Sequence, residues 1–328
     1  MVVASSSERA GLSVLGLDAE LAATCVSCGL CLPHCPTFRV TGEERYSPRG
    51  RIDAMRAVDR GELPIDDDFV DFVETCVQCR GCETACPSGV QFGALMEETR
   101  TALAADGRIT PWWQRIGFRV LPHHRLLLAG STAIAVGQRL RLVPKRFGVP
   151  RLPLRRTPRI EATGDDVWLF TGCVMDAWQR ETHRNTAALI ALTGATVAVP
   201  GSGGGCCGAL HVHAGLHGEA VALAERVMAS MPGTAPILVN SAGCGASMKD
   251  YGTHVDTDAA RRFSARVLDI YEWLDDRLDQ LPIASVLRPA VIVQDPCHLR
   301  NVQRAHEPVR VLLCKFAAVV EIEDDGLC

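Results

Sequence analysis

Two runs of cysteine constrain this chain more than any other feature. Cys25, Cys28, Cys31 and Cys35 are separated by two, two and three residues and followed by Pro36; Cys76, Cys79, Cys82 and Cys86 repeat that spacing and are followed by Pro87. Three thiolates at steps of three can wrap one small body from a single loop. The fourth lies a further turn on, before a proline that redirects the chain, and so points elsewhere. These eight belong to a set of fifteen cysteines in 328 residues, clustered rather than scattered. The N-terminus, MVVASSSERA, has no basic start followed by an apolar run. The longest weakly polar stretch, Leu126–Val136, is well short of the roughly 18 apolar residues that span a bilayer. The expectation is a cytoplasmic chain whose thiolates hold metal.

The spacing C-x-x-C-x-x-C-x-x-x-C-P is that of bacterial ferredoxins, in which the fourth cysteine ligates the other cluster. Two [4Fe–4S] clusters are therefore expected. Cys25, Cys28, Cys31 and Cys86 would hold one; Cys76, Cys79, Cys82 and Cys35 would hold the other. Gly29 and Gly81 are expected to let the backbone turn closely around the metal. Two structural zinc sites are the alternative, but zinc modules pair two C-x-x-C units across a spacer rather than repeating a triple run with C-P. No C-x-x-C-H occurs, which excludes a c-type haem. Forty residues separate the runs, with helix-period stretches over 48–58 and 67–73. This resembles the α-helical ferredoxin module of succinate dehydrogenase and heterodisulfide reductase subunits. Arg49 and Arg51 in this segment are equally compatible with a solvated surface and with tuning of a cluster.

The remainder divides in two. Residues 111–164 lack cysteine and read as a linker, first helical and Arg-rich, then Pro-rich from Val149 to Pro158. From 165 to 328 short β-branched runs (167–170, 195–199, 237–239, 290–293) alternate with helix-period stretches (178–193, 214–230, 257–279), which implies a parallel sheet with helices on its faces. With residues 1–110 as the ferredoxin domain, the expected class is multi-domain α+β: an N-terminal α-helical module and a C-terminal α/β domain.

Cys173, Cys206, Cys207, Cys244 and Cys297 each follow a predicted strand, so they are expected to converge outside the carboxyl ends of the strands. A faint repeat runs Cys173–helix–strand–Cys206 and again Cys297–helix–strand–Cys328, with 32 and 30 intervening residues, so the second copy looks truncated. Gly203-x-Gly205-x-x-Gly208 formally matches a dinucleotide fingerprint, but it does not follow the first strand of its domain and carries Cys206 and Cys207 at variable positions. Its glycines are read as a bend that lets the main chain approach a cofactor. By ligand count alone, Cys173, Cys206, Cys207 and Cys244 suffice for a further metal centre; the sequence leaves open whether they bind metal. His211, His213 and His217 are read as hydrogen-bonded structural residues, and Cys314, in an apolar helical run, as a buried packing thiol.

The order Cys173…Cys206-Cys207-Gly208…Cys244 resembles the cysteine-rich CCG domain of heterodisulfide reductases, lactate-utilisation proteins and glycolate oxidases. Ser247 stands where that family often has its last cysteine. Within the superfamily the chain is most similar to glycolate oxidase iron–sulfur subunits, on the segments 170–175, 183–186, 206–215, 241–246 and 295–299 together with both ferredoxin runs. The resemblance adds Cys297 and Cys328 to Cys173, Cys206, Cys207 and Cys244 as cofactor-binding candidates.

No nucleotide fold, activated nucleophile or carboxylate pair is evident, so the chain itself is expected to move electrons. The net charge of −4 argues against nucleic acid as a partner. The resemblance implies FAD-containing partner subunits that oxidise glycolate to glyoxylate, or D-lactate to pyruvate. Electrons would then leave through this subunit to a quinone or another acceptor, at the inner face of the membrane or in the cytoplasm. The alternative it implies is catalysis at the CCG site, as in a heterodisulfide reductase or a lactate-utilisation subunit.

Overall fold

The computed structural model describes residues 13–144, 146, 148–201, 204–282 and 288–322. Three helices, Pro48–Asp59, Asp67–Glu74 and Phe92–Ala105, build the N-terminal core, in which Ile52, Met55, Val58, Phe69, Val73, Leu95, Met96 and Leu103 pack together. The starts of the first two are written locally. The Ser47 side chain accepts from the Gly50 amide ahead of Pro48, and the Asp66 side chain accepts from the Phe69 amide. Gly50 is required by contact: a Cβ there would stand 2.1 Å from the Glu44 carbonyl oxygen. Leu95 and Leu103 are wholly buried, and truncating either to Ala would cost about 2–5 kcal/mol.

The C-terminal region is built on a parallel sheet. Strands β1 (Val167–Phe170), β2 (Val197–Ala198), β3 (Ile237–Val239) and β4 (Val267–Asp269) lie in the order β2-β1-β3-β4. Phe170 aligns with Val239 and Val239 with Asp269, so the carboxyl ends of β1, β3 and β4 share one edge. Both faces are buried. Val167, Leu169 and Leu238 pack with Ile190, Trp273 and Leu274, whereas Phe170, Ile237 and Val239 pack with Met248, Tyr251 and Phe263. This is why the strands read as short apolar runs rather than as alternating ones.

Two expectations are corrected here. The stretch 257–279 is not one helix: it breaks into Asp258–Ser264, β4 and Ile270–Asp275. A capping box at Asp269 and Glu272 starts the last helix, and that D-x-x-E signal was present in the sequence. The strand after residue 288 does not join the main sheet. β5 (Arg288–Ile292) pairs in parallel with β6 (Ala317–Val320) in a sheet of its own. The faint repeat is therefore a second parallel pair, and Cys297 lies beyond a different sheet from the one carrying the other cysteines.

Between the two regions run helices Trp112–Val120 and His124–Arg139, then irregular chain. The second helix rests on the C-terminal region, with the Trp178 indole donating to Ser131 Oγ at 2.9 Å and Arg156 donating to the Leu128 and Ala177 carbonyls. The N-terminal module also touches the C-terminal region directly. Asn301 donates to the Cys79 carbonyl at 2.9 Å, Arg80 pairs with Asp250 at 2.8 Å, and Arg100 donates to the His213 carbonyl at 2.7 Å. Gly215, at φ +72°, makes this approach possible: a Cβ would stand 2.2 Å from the Arg100 carbonyl oxygen.

Candidate metal centres and thiol site

The two cysteine loops have one local design. Each passes through the left-handed region twice, at Ser27 and Gly29 in the first and at Gln78 and Arg80 in the second, the same positions relative to the cysteines. Gly29 thus turns the chain as expected, but Gly81 does not. Its counterpart in the second loop is Arg80, at φ 57°, held by Glu83 at 2.8 Å and by Asp250. Gly81 serves close approach instead, since a Cβ there would meet the His34 carbonyl oxygen at 3.2 Å.

Around these loops lie two voids. Cys25, Cys28, Cys31 and Cys86 line one; Cys35, Cys76 and Cys79 line the other, and Cys82 reaches both walls. The fourth cysteine of each run has crossed to the other run's void. Burial raises the thiol pKa values of Cys31, Cys76, Cys79 and Cys82, opposed at Cys76 by the cations Arg51 and Arg100.

Arg51 is not a surface residue. It is 1% exposed; its guanidinium donates to the Phe72 and Tyr46 carbonyls, to Thr37 and Thr75, and lies 3.9 Å from Cys35 Sγ. Arg49 lies further out, donating to the Ser27 carbonyl at 3.0 Å and pairing with Glu44.

A second group of thiols gathers at the carboxyl edge of the main sheet. Cys173 caps the helix Val174–Trp178 after β1, Cys206 and Cys207 lie in the bend after β2, and Cys244 lies in the first turn of Ala242–Lys249 after β3. Gly208, at φ +86°, closes the bend by starting the helix Ala209–His213; Gly203 is outside the described residues. The four thiols form two hydrogen-bonded pairs. Hydrogen bonding with Cys206 pulls the Cys173 thiol down to about 7, and hydrogen bonding with Cys207 and Ser241 lowers that of Cys244. Cys206 and Cys207 are pushed up by these hydrogen bonds and by burial. Tyr251 anchors the bend through a 2.7 Å hydrogen bond to the Cys207 carbonyl. Among the described residues, Ser247 Oγ is buried without a partner, on the next turn of the Cys244 helix.

Not every candidate cysteine is among these four free thiols. Cys297 heads the π-helical turn His298–Gln303 and is disulfide-bonded. Cys328 lies outside the described residues. Cys314 is exposed, against expectation, because its helix turns Val309 and Leu312 inward. His213 is held structurally, 3.0 Å from Gln78.

Sequence reasoning missed a cavity of about 750 Å³ beside these thiols. His124, Arg125, Arg159, Asp176, Arg180 and His183 line it, and its wall reaches Gly172 and Gly205, the neighbours of Cys173 and Cys206. Burial opposes the charge on Asp176, but Arg159 at 2.9 Å and Arg180 at 3.2 Å outweigh it and hold the carboxyl below its ordinary value. The Asp176–Arg180 pair at i,i+4 was the one readable signal.

Residues 21–90 match the family model described as a 4Fe-4S dicluster domain, and residues 167–249 the one described as a cysteine-rich domain. The probable glycolate oxidase iron–sulfur subunit of Bacillus subtilis is 31% identical over 93% of this chain and 77% of its own length. The glycolate oxidase iron–sulfur subunit of Escherichia coli is 30% identical over 98% of this chain and 81% of its own. The chain belongs to the family of glycolate oxidase iron–sulfur subunits. A more distant relative is a subunit of the dihydromethanophenazine:CoB–CoM heterodisulfide reductase of Methanosarcina acetivorans, 26% identical over 92% of this chain and 75% of that protein. No solved structure matches. Membership makes this chain an iron–sulfur electron-transfer subunit of a multi-subunit oxidoreductase. None of its described helices is long and apolar enough to cross a membrane.

The residues present fit iron–sulfur clusters. Five cysteines border the first void and four the second, Cys82 being common to both, and among the described residues no three His, Cys, Asp or Glu side chains close to the spacing of ligands around one ion. Thiols standing apart around a void suit a polynuclear cube better than a single zinc ion.

Proposed function

We propose that this chain carries two [4Fe–4S] clusters, one on Cys25, Cys28, Cys31 and Cys86 and one on Cys35, Cys76, Cys79 and Cys82. In this reading it relays electrons from a FAD-containing partner that oxidises glycolate to glyoxylate, or D-lactate to pyruvate, toward a quinone or another acceptor. It works in the cytoplasm, peripheral to the inner face of the membrane. The domain limits 1–110, 111–164 and 165–328 belong to the same proposal. The observation that carries it is the crossing of Cys35 and Cys86 into the opposite voids, the arrangement of two-cluster ferredoxins.

The bound clusters would supply one-electron oxidation and reduction. The protein's part is to hold and shield them. Pro48, Ile52 and Phe92 wall the first void, Phe92 also borders the second, and Arg51 places a buried cation at Cys35. Anaerobically purified protein should contain about eight irons per chain. Cys86→Ser should lose the cluster of Cys25, Cys28 and Cys31 and keep the other; loss of the Cys76 cluster instead would refute the crossed assignment. Glycolate and D-lactate assayed on the co-expressed complex decide the substrate.

A second reading, catalysis at Cys173, Cys206, Cys207 and Cys244 with or without a further metal, is favoured by the paired thiols and the cationic cavity beside them. It requires thiol–disulfide turnover by the isolated chain, and its absence in reduced, cluster-loaded protein would rule this reading out.

A further inference from the structure

Residues 107–160 hold twelve of the chain's 34 Lys and Arg and none of its 38 Asp and Glu, leaving 22 against 38 in the remainder. One segment of an acidic protein is thus purely cationic. It is also the part that exposes the largest apolar side chains. On the helix Trp112–Val120, Trp112 is 73% and Trp113 59% exposed, and at 100° per residue they share a face with Ile116, flanked by Arg119. The helix His124–Arg139 buries Ser131 and Ala135 toward the C-terminal region, while Leu126, Gly130 and Ala133 on the opposite face are exposed. After it, exposed Arg139-Leu140-Arg141-Leu142 alternates cation and apolar group, and exposed Arg151, Leu154 and Arg155 continue the mixture.

We propose that this segment docks the protein on the surface of an anionic phospholipid bilayer. Trp112, Trp113 and Ile116 would enter the interface, with the arginines at the level of the phosphates. An in-plane amphipathic helix with aromatic residues on one face and cations beside them is the form that binds such a surface, and Trp is the side chain most suited to the boundary between headgroups and acyl chains. Charge complementarity sets the lipid class, because arginine near an anionic leaflet is attracted and no carboxylate here opposes it. A protein partner fits less well. Trp and Arg are also enriched at protein interfaces, but there charge is sparse at the core, whereas here twelve cations with no carboxylate among them run through the whole segment. The cationic cavity beside Cys173 shares a wall with this segment, at Pro122, His123 and Leu126, so docking would bring its mouth toward the membrane.

This names the surface behind the peripheral location proposed above and is independent of the substrate. The test uses full-length, cluster-loaded protein and sedimentation with vesicles of phosphatidylcholine alone or mixed with phosphatidylglycerol. Binding to the mixed vesicles is expected, with little to phosphatidylcholine, weakening as salt shortens the Debye length. Each exposed Arg→Gln change at Arg141, Arg151 or Arg155 should lower affinity roughly fivefold. Trp112→Ala/Trp113→Ala should lower it by at least roughly tenfold and abolish a blue shift of tryptophan emission, with iron content unchanged. Equal binding to both vesicle types, or a Trp double variant that binds like the parent, overturns the proposal. So does a surface that responds only to the flavoprotein subunit, which would make it a protein interface. Because no substrate enters, failure here leaves the electron-transfer reading standing.

Discussion

Arg51 shows how a single side chain changes meaning with its surroundings. In the sequence it is one of two arginines after Ser47-Pro48; in the fold it is buried against Cys35, with both neighbouring carbonyls satisfied by its guanidinium. Its phase was readable. Arg51 lies at helical spacing with Ile52, Met55 and Val58, all buried, whereas Arg49 lies outside that stripe. What could not be read was the reason to bury a charge, because Cys35 and the Phe72 and Tyr46 carbonyls arrive from other segments. A fixed cation beside a thiolate ligand favours the reduced, more negative state of whatever that thiolate holds. Arg51→Ala should therefore lower the potential of the Cys35-linked centre by on the order of 100 mV, while Arg51→Lys should recover most of it. A spectroscopically monitored redox titration reads this directly, and an unshifted potential in a folded Ala variant would remove Arg51 from any tuning role.

At the scale of elements, the loops, caps and bends obey local chemistry, and misreadings occur where a neighbour intervenes. The cysteine loops repeat the same left-handed positions, but glycine fills only one of them; Arg80 tolerates its conformation because Glu83 and Asp250 hold it. β4 was missed because three residues between two helices carry too little pattern, although the Asp269–Glu272 cap marked the restart. Gly215 is a clear case of a residue set by a distant partner, since the obstruction it avoids is the Arg100 carbonyl oxygen. Gly215→Ala combines that clash with an unfavourable φ and should cost about 2–4 kcal/mol. Denaturant unfolding of the loaded protein measures it; a loss below about 0.5 kcal/mol would mean that the two regions yield easily at this contact.

For the whole molecule the consequential surface lies between the two cysteine-bearing regions. Glu97, Asp250, His213, His254, His298 and Arg80 line one small void there. Burial lifts the Glu97 carboxyl to about 8, Asp250, Glu83 and Glu98 push the same way, and Arg80 opposes them. Burial lowers His213 to about 4, helped by His298, Arg100, His254 and Arg80. An acid with a raised folded-state pKa contributes stability below its ordinary value of 4.5 and loses it as pH rises toward 8; a histidine with a lowered one contributes above 6.5 and loses it as pH falls toward 4. Stability should thus decline on both sides of a weakly acidic optimum. Glu97→Gln should flatten the decline above pH 6.5, where His213 no longer titrates, as read from thermal midpoints of anaerobic protein between pH 6.5 and 8. Equal slopes in parent and variant would show that Glu97 is not the group responsible.

By itself the sequence determined what is local: eight ferredoxin thiols from spacing, the alternation that yields a parallel sheet, and cysteines placed just beyond strand ends. Short-range geometry suffices for these, because a loop, a cap or a strand is defined within a few residues. Only the tertiary structure decided which distant groups meet. It kept the strand before Cys297 out of the sheet that carries Cys173, Cys206, Cys207 and Cys244, buried Arg51 against Cys35, and opened a cationic cavity beside Cys173. Those outcomes depend on packing between segments tens to hundreds of residues apart, and no local pattern encodes the direction from which a neighbour will come.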